Sequence, residues 1–287
     1  MKTIDEADLM DDIFMNLVAS DPDAGEPVCR ILLSVLLQTK IGKVNVHAQR
    51  VIPGIGFDIR GIRLDVEVEE YETDSDERIA NVYDIEPHRK REDEFGRMLR
   101  FRQAKIDSRY MKKNDSDYSH LPNLYMILIT DKDYFGEDYM MYTFKNRCVE
   151  VPGLEYDDGL VFLYFYTKGT KGGSESIHNM LKYLQDSRQN SAVDEATRKL
   201  DEYVSNVRRD PEIRGNYMTF GDKIDYEKQI SLKQGIEQGI EQGIEQGKRE
   251  LIESMLNNGK SVEQIVEFCG CSSDLVKKIL DEMQALV

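Results

Sequence analysis

Phe57-Asp-Ile-Arg-Gly-Ile-Arg-Leu-Asp65, followed by Tyr83-Asp-Ile-Glu86-Pro-His88, is the stretch that decides this fold. Ile62, Leu64, Val66 and Val68 alternate with Arg63, Asp65, Glu67 and Glu69, the period of two of a strand, so Asp65 points away from the apolar face. A second strand places Asp84, Glu86 and His88 on one side. A hairpin turning at Ser75 and Asp76 sets Asp65 directly opposite Glu86, where side chains on one face approach within about 5 Å. Two carboxylates so placed can share one cation. Mg²⁺ is hard, takes oxygen ligands and is held by one or two carboxylates with water and substrate phosphate. Such an ion activates water and stabilises charge on a phosphodiester. The same residues also suit a plain surface hairpin, since the turn from Glu69 to Glu77 is simply acidic. Spacing alone leaves both readings open.

Further blocks extend the pattern: Ile106-Asp-Ser-Arg109, Leu121-Pro-Asn-Leu-Tyr-Met-Ile-Leu-Ile-Thr-Asp131 and Tyr142-Thr-Phe-Lys-Asn-Arg147. With Asp58–Asp65 and Tyr83–Pro87, and in this order, the chain resembles the PD-(D/E)XK nucleases, in the branch of recombination-promoting nucleases and transposase-type proteins. The resemblance implies Mg²⁺-dependent cleavage of DNA, with Asp65 as the motif Asp and Glu86 as the acid of the E-x-K or E-x-Q element. His88 stands where the family has Lys or Gln to position or activate the attacking water. Imidazole can hydrogen-bond that water, and titrating near neutrality it can act as a base. A mere hydroxyl or phosphate contact is the other role open to His88.

After the hairpin comes the one basic region of an acidic protein. From Glu86 to Lys113 ten Lys or Arg residues face five acids. The segment is net positive by five, so the remainder of a chain of net charge −16 carries −21. That remainder repels nucleic acid at long range, which focuses any DNA contact here. Residues 94 to 111 favour helix, with Arg97, Arg100, Ala104 and Asp107 along one side. Beside the carboxylates such a helix would clamp backbone phosphates, and the resemblance puts Arg100 and Gln103 at the matching positions. A solvated face with intrahelical ion pairs is the alternative, because charge runs are commonly just that.

Of the 287 residues 40% are hydrophobic and 32% charged, the balance of a globular core with polar helices. No stretch approaches 18 uncharged apolar residues, and the N-terminus lacks the basic-then-apolar order of a secretory signal. Cys29, Cys148, Cys269 and Cys271 are too few and scattered for a disulfide framework; reduced thiols in a cytoplasm are expected. Cys269 and Cys271 lack zinc-like spacing to further ligands.

Helical periodicity covers Ile4 to Val18 and Pro27 to Leu37, split by the turn residues from Ser20 to Gly25. Glu26 opens the second helix, where an acid suits the N-terminus. Strands are expected over Val44 to Ile52, Tyr139 to Phe144 and Leu160 to Tyr166. The apolar run Leu124 to Ile129 reads as a central strand covered on both faces. Helices follow over Ser174 to Gln185 and Asp194 to Arg209. The expected class is α/β, a restriction-endonuclease-like mixed sheet flanked by helices, with a C-terminal helical extension. Domain limits are expected at 1–221, 222–250 and 251–287.

The middle segment carries Gln-Gly-Ile-Glu three times from Gln234 to Glu245. Gly235, Gly239, Gly243 and Gly247 each cost a helix about 1 kcal/mol relative to Ala. Close packing against another helix would offset that, making the repeat a candidate for homo-oligomer formation; a frayed linker is the other reading. Ser261 to Ile279 has the order of a helix-turn-helix with Gly270 in the turn. Its second helix offers only Lys277 and Lys278 as cations, which favours packing or protein contact over DNA reading. The chain is thus expected to be a metal-dependent DNA endonuclease, with a catalytically decayed DNA-binding or oligomeric scaffolding protein as the alternative.

Overall fold

Antiparallel pairing over Val66 to Tyr71 (β4) and Ile79 to His88 (β5) starts the main sheet, with Val66 opposite Ile85. The computed structural model describes residues 3–52, 62–73, 78–89, 94–111 and 117–284. The quoted residues 57 to 61, and the expected turn at Ser75 and Asp76, lie outside these. Val44–Ala48 (β1) adds antiparallel to the outer side of β4, while Val51–Ile52 (β2) and Ile62–Arg63 (β3) form a separate ribbon. The expected strand from Val44 to Ile52 is therefore broken, at Gln49, whose φ is 52°. Likewise the strand expected through Ile62 to Glu69 bends at Asp65, so Leu64 turns into the apolar cluster while β4 begins at Val66.

From β5 the chain crosses through Phe95–Tyr110 (α3) to Asn123–Thr130 (β6), which lies parallel to β5. Leu160–Tyr166 (β8) pairs parallel with β6 on its far side, and Met141–Phe144 (β7) closes that edge antiparallel to β8. The mixed sheet thus runs β1-β4-β5-β6-β8-β7. β6 is central and its apolar run is buried, as its unbroken hydrophobic sequence requires.

Each face has its own cover. On one, Val82, Leu124, Met126, Leu128 and Tyr164 pack with Leu99 and Ile106 of α3. On the other stand Val66, Val68, Ile85, Ile127 and Phe165, all buried. Helices Asp12–Ser20 (α1) and Gly25–Leu37 (α2) pack on β1, and α2 packs with Glu175–Gln185 (α4) and Glu195–Arg209 (α5). Asp11, Ser174 and Asp194 cap α1, α4 and α5 through their side chains. Short 3-10 turns at Tyr118–His120 and Gln189–Ser191 complete this part.

The chain divides into two compact units, Met1–Phe220 and Gly221–Val287. Pro211–Asn257 (α6) runs unbroken through the glycine repeats. In the second unit, Ile252 of α6 packs with Ile265 of Val262–Cys269 (α7) and with Val276 and Ile279 of Ser273–Gln284 (α8). Ser261 and Gln264 form a capping box at α7, Gly270 takes the left-handed conformation in the turn, and the Ser272 hydroxyl accepts from the Leu275 amide. No helix among the described residues is long and apolar enough to cross a membrane.

The α1–α2 turn depends on Gly25, where an added Cβ would lie 2.4 Å from the Ala19 carbonyl oxygen. Gly25→Ala is expected to destabilise the protein by roughly 1–3 kcal/mol, since neither backbone can yield freely. The urea midpoint measures this; an unchanged midpoint would contradict the close packing described.

Candidate metal centre

Antiparallel pairing sets the start of β4 beside the end of β5, and continuing the register from Val66–Ile85 brings Asp65 opposite Glu86. The two half-buried carboxyls share one side of the ribbon and act on each other's charge. Burial pushes both up, Asp65 to about 6 and Glu86 to about 9; Arg102 opposes this, while neighbouring acids add to it. Among those acids are Asp84, on the same side of β5 as Glu86, and Asp12 in the first turn of α1.

Arg102 of α3 answers part of this charge. It is buried, donates from Nε to Asp84 Oδ2 and from Nη2 to Asp84 Oδ1, each at 3.1 Å, and pairs with Glu86 through Nη2. Its Nη1 donates to the Arg63 carbonyl at 3.1 Å, tying the ribbon to the helix. The acids gathered here, Asp65, Asp84 and Glu86, offer only oxygen donors. Oxygen donors of this kind are what a hard divalent cation takes as ligands.

The face of α3 turned to the sheet carries Leu99, Arg102, Ile106 and Arg109, not the row of Arg97, Arg100 and Ala104 expected beside the carboxylates. The reason is packing: Leu99 and Ile106 are the apolar anchors, and Arg102 and Arg109 share their side. Arg97 is 75% exposed and pairs with Glu94 at 2.9 Å; Arg100 is exposed too. Gln103 donates to Asp107 at 2.7 Å. Much of the basic segment's charge is internal, because Arg89 also pairs with Asp8, at 2.5 Å. Lys90, Arg91, Lys112 and Lys113 lie outside the described residues. His88 ends β5, half-buried, opposite Thr130 in the ladder and two residues from Glu86. Glu26 sits in an exposed pair with Arg30, as a helix-opening charge.

The acidic face of β4 is buried rather than solvated, with Glu67 fully inside. Both Glu67 oxygens accept from Arg109, at 2.8 and 2.6 Å, and Arg50 adds a bond at 2.5 Å. Glu69 accepts from Arg50, Arg109 and Tyr110 on one oxygen and lies 3.0 Å from His47 on the other. Although burial raises it, the bonds from His47, Arg50 and Tyr110 hold Glu69 down at about 2. His47, Glu67 and Glu69 could enclose a metal by distance alone, but their acceptors are taken by these cations.

Sequence reasoning anticipated the meeting of Asp65 and Glu86 and missed Arg102, Asp84 and Asp12 as members of the cluster. The i, i+3, i+7 pattern Leu99, Arg102, Ile106, with Arg109 continuing it, was the available signal for Arg102. Nothing local marks Asp12.

Because both acids titrate higher folded than unfolded, the native state retains protons that the unfolded chain has released above the ordinary carboxylate range. Stability of the metal-free protein should therefore fall as pH rises from about 5 to about 9. Glu86→Gln should flatten that slope and raise the melting temperature at the alkaline end, as followed by scanning fluorimetry. A steeper slope in the variant would exclude a raised Glu86 as the cause.

No family model, curated protein or solved structure matches the chain.

Proposed function

We propose that the protein is a Mg²⁺-dependent endonuclease of the PD-(D/E)XK kind, hydrolysing DNA phosphodiester bonds. The observation that carries this reading is the strand register that brings the half-buried carboxyls of Asp65 and Glu86 to one side of the ribbon, opposite each other. Recombination or mobile-element activity is the setting that the sequence resemblance implies.

In this reading Asp65 and Glu86 would hold the cation through their oxygens. When bound, the ion stabilises charge on the phosphoryl oxygens and lowers the pKa of a ligated water. His88, on the Glu86 side of β5, accepts the proton of the attacking water on a neutral ring nitrogen or orients it. Arg97 and Arg100, exposed on α3, supply backbone phosphate contacts, with Gln103 on the next turn. Arg102 keeps Glu86 and Asp84 in place from the helix side.

Asp65→Ala should reduce Mg²⁺-dependent nicking of supercoiled plasmid by at least about 10²-fold, with an unchanged far-UV circular dichroism spectrum. Nicking retained at the wild-type rate in the folded variant rejects the site.

A second reading is favoured by His88 at the third motif position and by the guanidinium already paired with Glu86. It makes the protein a nuclease-derived DNA-binding or scaffolding protein. Wild-type protein that binds DNA yet never cuts it across a range of Mg²⁺ and Mn²⁺ concentrations would select it.

A further inference from the structure

A cavity of about 580 Å³ lies on the face of the sheet turned away from α3, between the strands and the end of α2. Strand register lays out its floor. Tyr83 pairs with Tyr125 and Tyr125 with Val161, and continuing past the Phe144–Phe162 pair sets Lys145 beside Val161. Thr143 and Leu163, opposite each other in the same ladder, belong to the floor, and Ile177 of α4 joins the lining. The rings of Tyr83 and Tyr125 stack with centroids 5.1 Å apart. Glu70 of β4, opposite Asn81, ends the floor on the far side.

Three charged side chains line this cavity: Glu70, Lys40 and Lys145. Glu70 is buried, and only neutral groups answer it. The Gly42 amide donates to Oε1 at 2.7 Å, and Asn81 Nδ2 and the Tyr83 hydroxyl donate to Oε2 at 2.8 and 2.5 Å. A carboxylate offers about four acceptor sites, so one on Oε1 stays open. Among the described residues Glu70 has no cationic partner, and neither Lys40 nor Lys145 pairs with an acid. A buried carboxylate left to neutral donors is short of positive charge. α2 ends beside it and adds the partial negative charge of a helix C-terminus. The middle of the floor carries no charge of its own: burial raises the Tyr125 hydroxyl, with Asp157, outside the lining, and Glu70 adding to this. Neighbouring strands lie about 4.8 Å apart, so the backbones of Glu70 and Lys145 stand about 19 Å apart across the sheet, with Tyr125 midway.

We propose that this cavity binds a linear zwitterion of tripeptide size, with its ammonium on Glu70, its carboxylate on Lys145 and an apolar ring over Tyr125. An ammonium at Oε1 makes the charge-assisted bond that the neutral donors do not. Side chains reaching in from both ends shorten the gap to what two or three extended residues cover, at about 3.5 Å each. The cavity shares no residue with the Asp65–Glu86 centre, so binding here stands apart from that reading.

The test is binding of the tripeptide Gly-Phe-Gly to the full chain, followed by titration calorimetry and ligand-observed NMR. Wild-type protein binds it with a Kd below about 1 mM, and binds its N-acetylated and C-terminally amidated forms at least about tenfold more weakly. Lys145→Ala weakens Gly-Phe-Gly about tenfold and leaves the amidated form unchanged. Glu70→Gln weakens the amidated form and leaves the acetylated one unchanged. Lys40→Ala, at an exposed position, changes the affinity by less than about threefold. Thr143→Trp, exposed on β7, fills the cavity and abolishes binding while the urea midpoint is kept. No binding of Gly-Phe-Gly at about 10 mM overturns the proposal. So does a blocked peptide bound as tightly as the free one, a tenfold loss in Lys40→Ala in place of Lys145→Ala, or unchanged binding in folded Thr143→Trp. If Glu70→Gln does not fold, the two blocked peptides and Thr143→Trp decide.

Discussion

Five carboxylates, those of Asp65, Glu67, Glu69, Asp84 and Glu86, belong to the β4–β5 ribbon beneath α3, and the structure depends on how their charge is neutralised. A buried carboxylate without partners is untenable in an apolar setting. The answer comes chiefly from one helix. Arg102 and Arg109 are seven residues apart, about two turns or 10.5 Å along α3, so they reach separate acid pairs from the same face. Leu99 and Ile106 alternate with them and seat the helix on Val82, Leu124 and Leu128. Apolar packing fixes the rotation of α3, and rotation fixes which arginines point inward.

The two acid groups differ in how completely they are answered. Around Glu67 and Glu69 stand Arg50, Arg109, His47 and the Tyr110 hydroxyl, and the local charge is close to balanced. Around Asp65, Asp84 and Glu86 the described residues supply Arg102, and Asp12 adds a further negative charge. The excess, with burial, pushes the Asp65 and Glu86 carboxyls above their ordinary range. Acids held above their ordinary range mark a place short of positive charge, which separates a candidate functional centre from a structural ion-pair network. This contrast, more than the number of acids, distinguishes the two clusters.

Much of this was legible in the chain. Alternation in residues 62 to 69 and 83 to 88 set the register that brings Asp65 to Glu86, because a period of two admits few pairings once one face is apolar. The unbroken run Leu124 to Ile129 gave β6 its central place, and Ser174 and Asp194 marked helix starts to within a residue. What escaped was the burial of the polar side of β4. Glu67 and Glu69 look like solvent-facing residues until partners 42 and 40 positions away are brought to them, and no local pattern announces that. Counting charge failed on α3 for the same reason: net charge says nothing about which cations are already paired inside the protein.

The bonds at this centre also differ in reach along the chain. Arg102 finds Asp84 and Glu86 only 18 and 16 residues away, whereas Leu9 joins Ser187 across 178 residues and Arg208 reaches the Ile4 carbonyl across 204. The loop-closure entropy of joining two points grows with the chain between them, so the hairpin and its helix can assemble as a local folding nucleus. The N-terminal contacts with Ser187 and Arg208 close by far the longer loops. Pairing Arg102 with its acids therefore closes only short loops, at a far smaller entropic cost than joining the chain's distant ends.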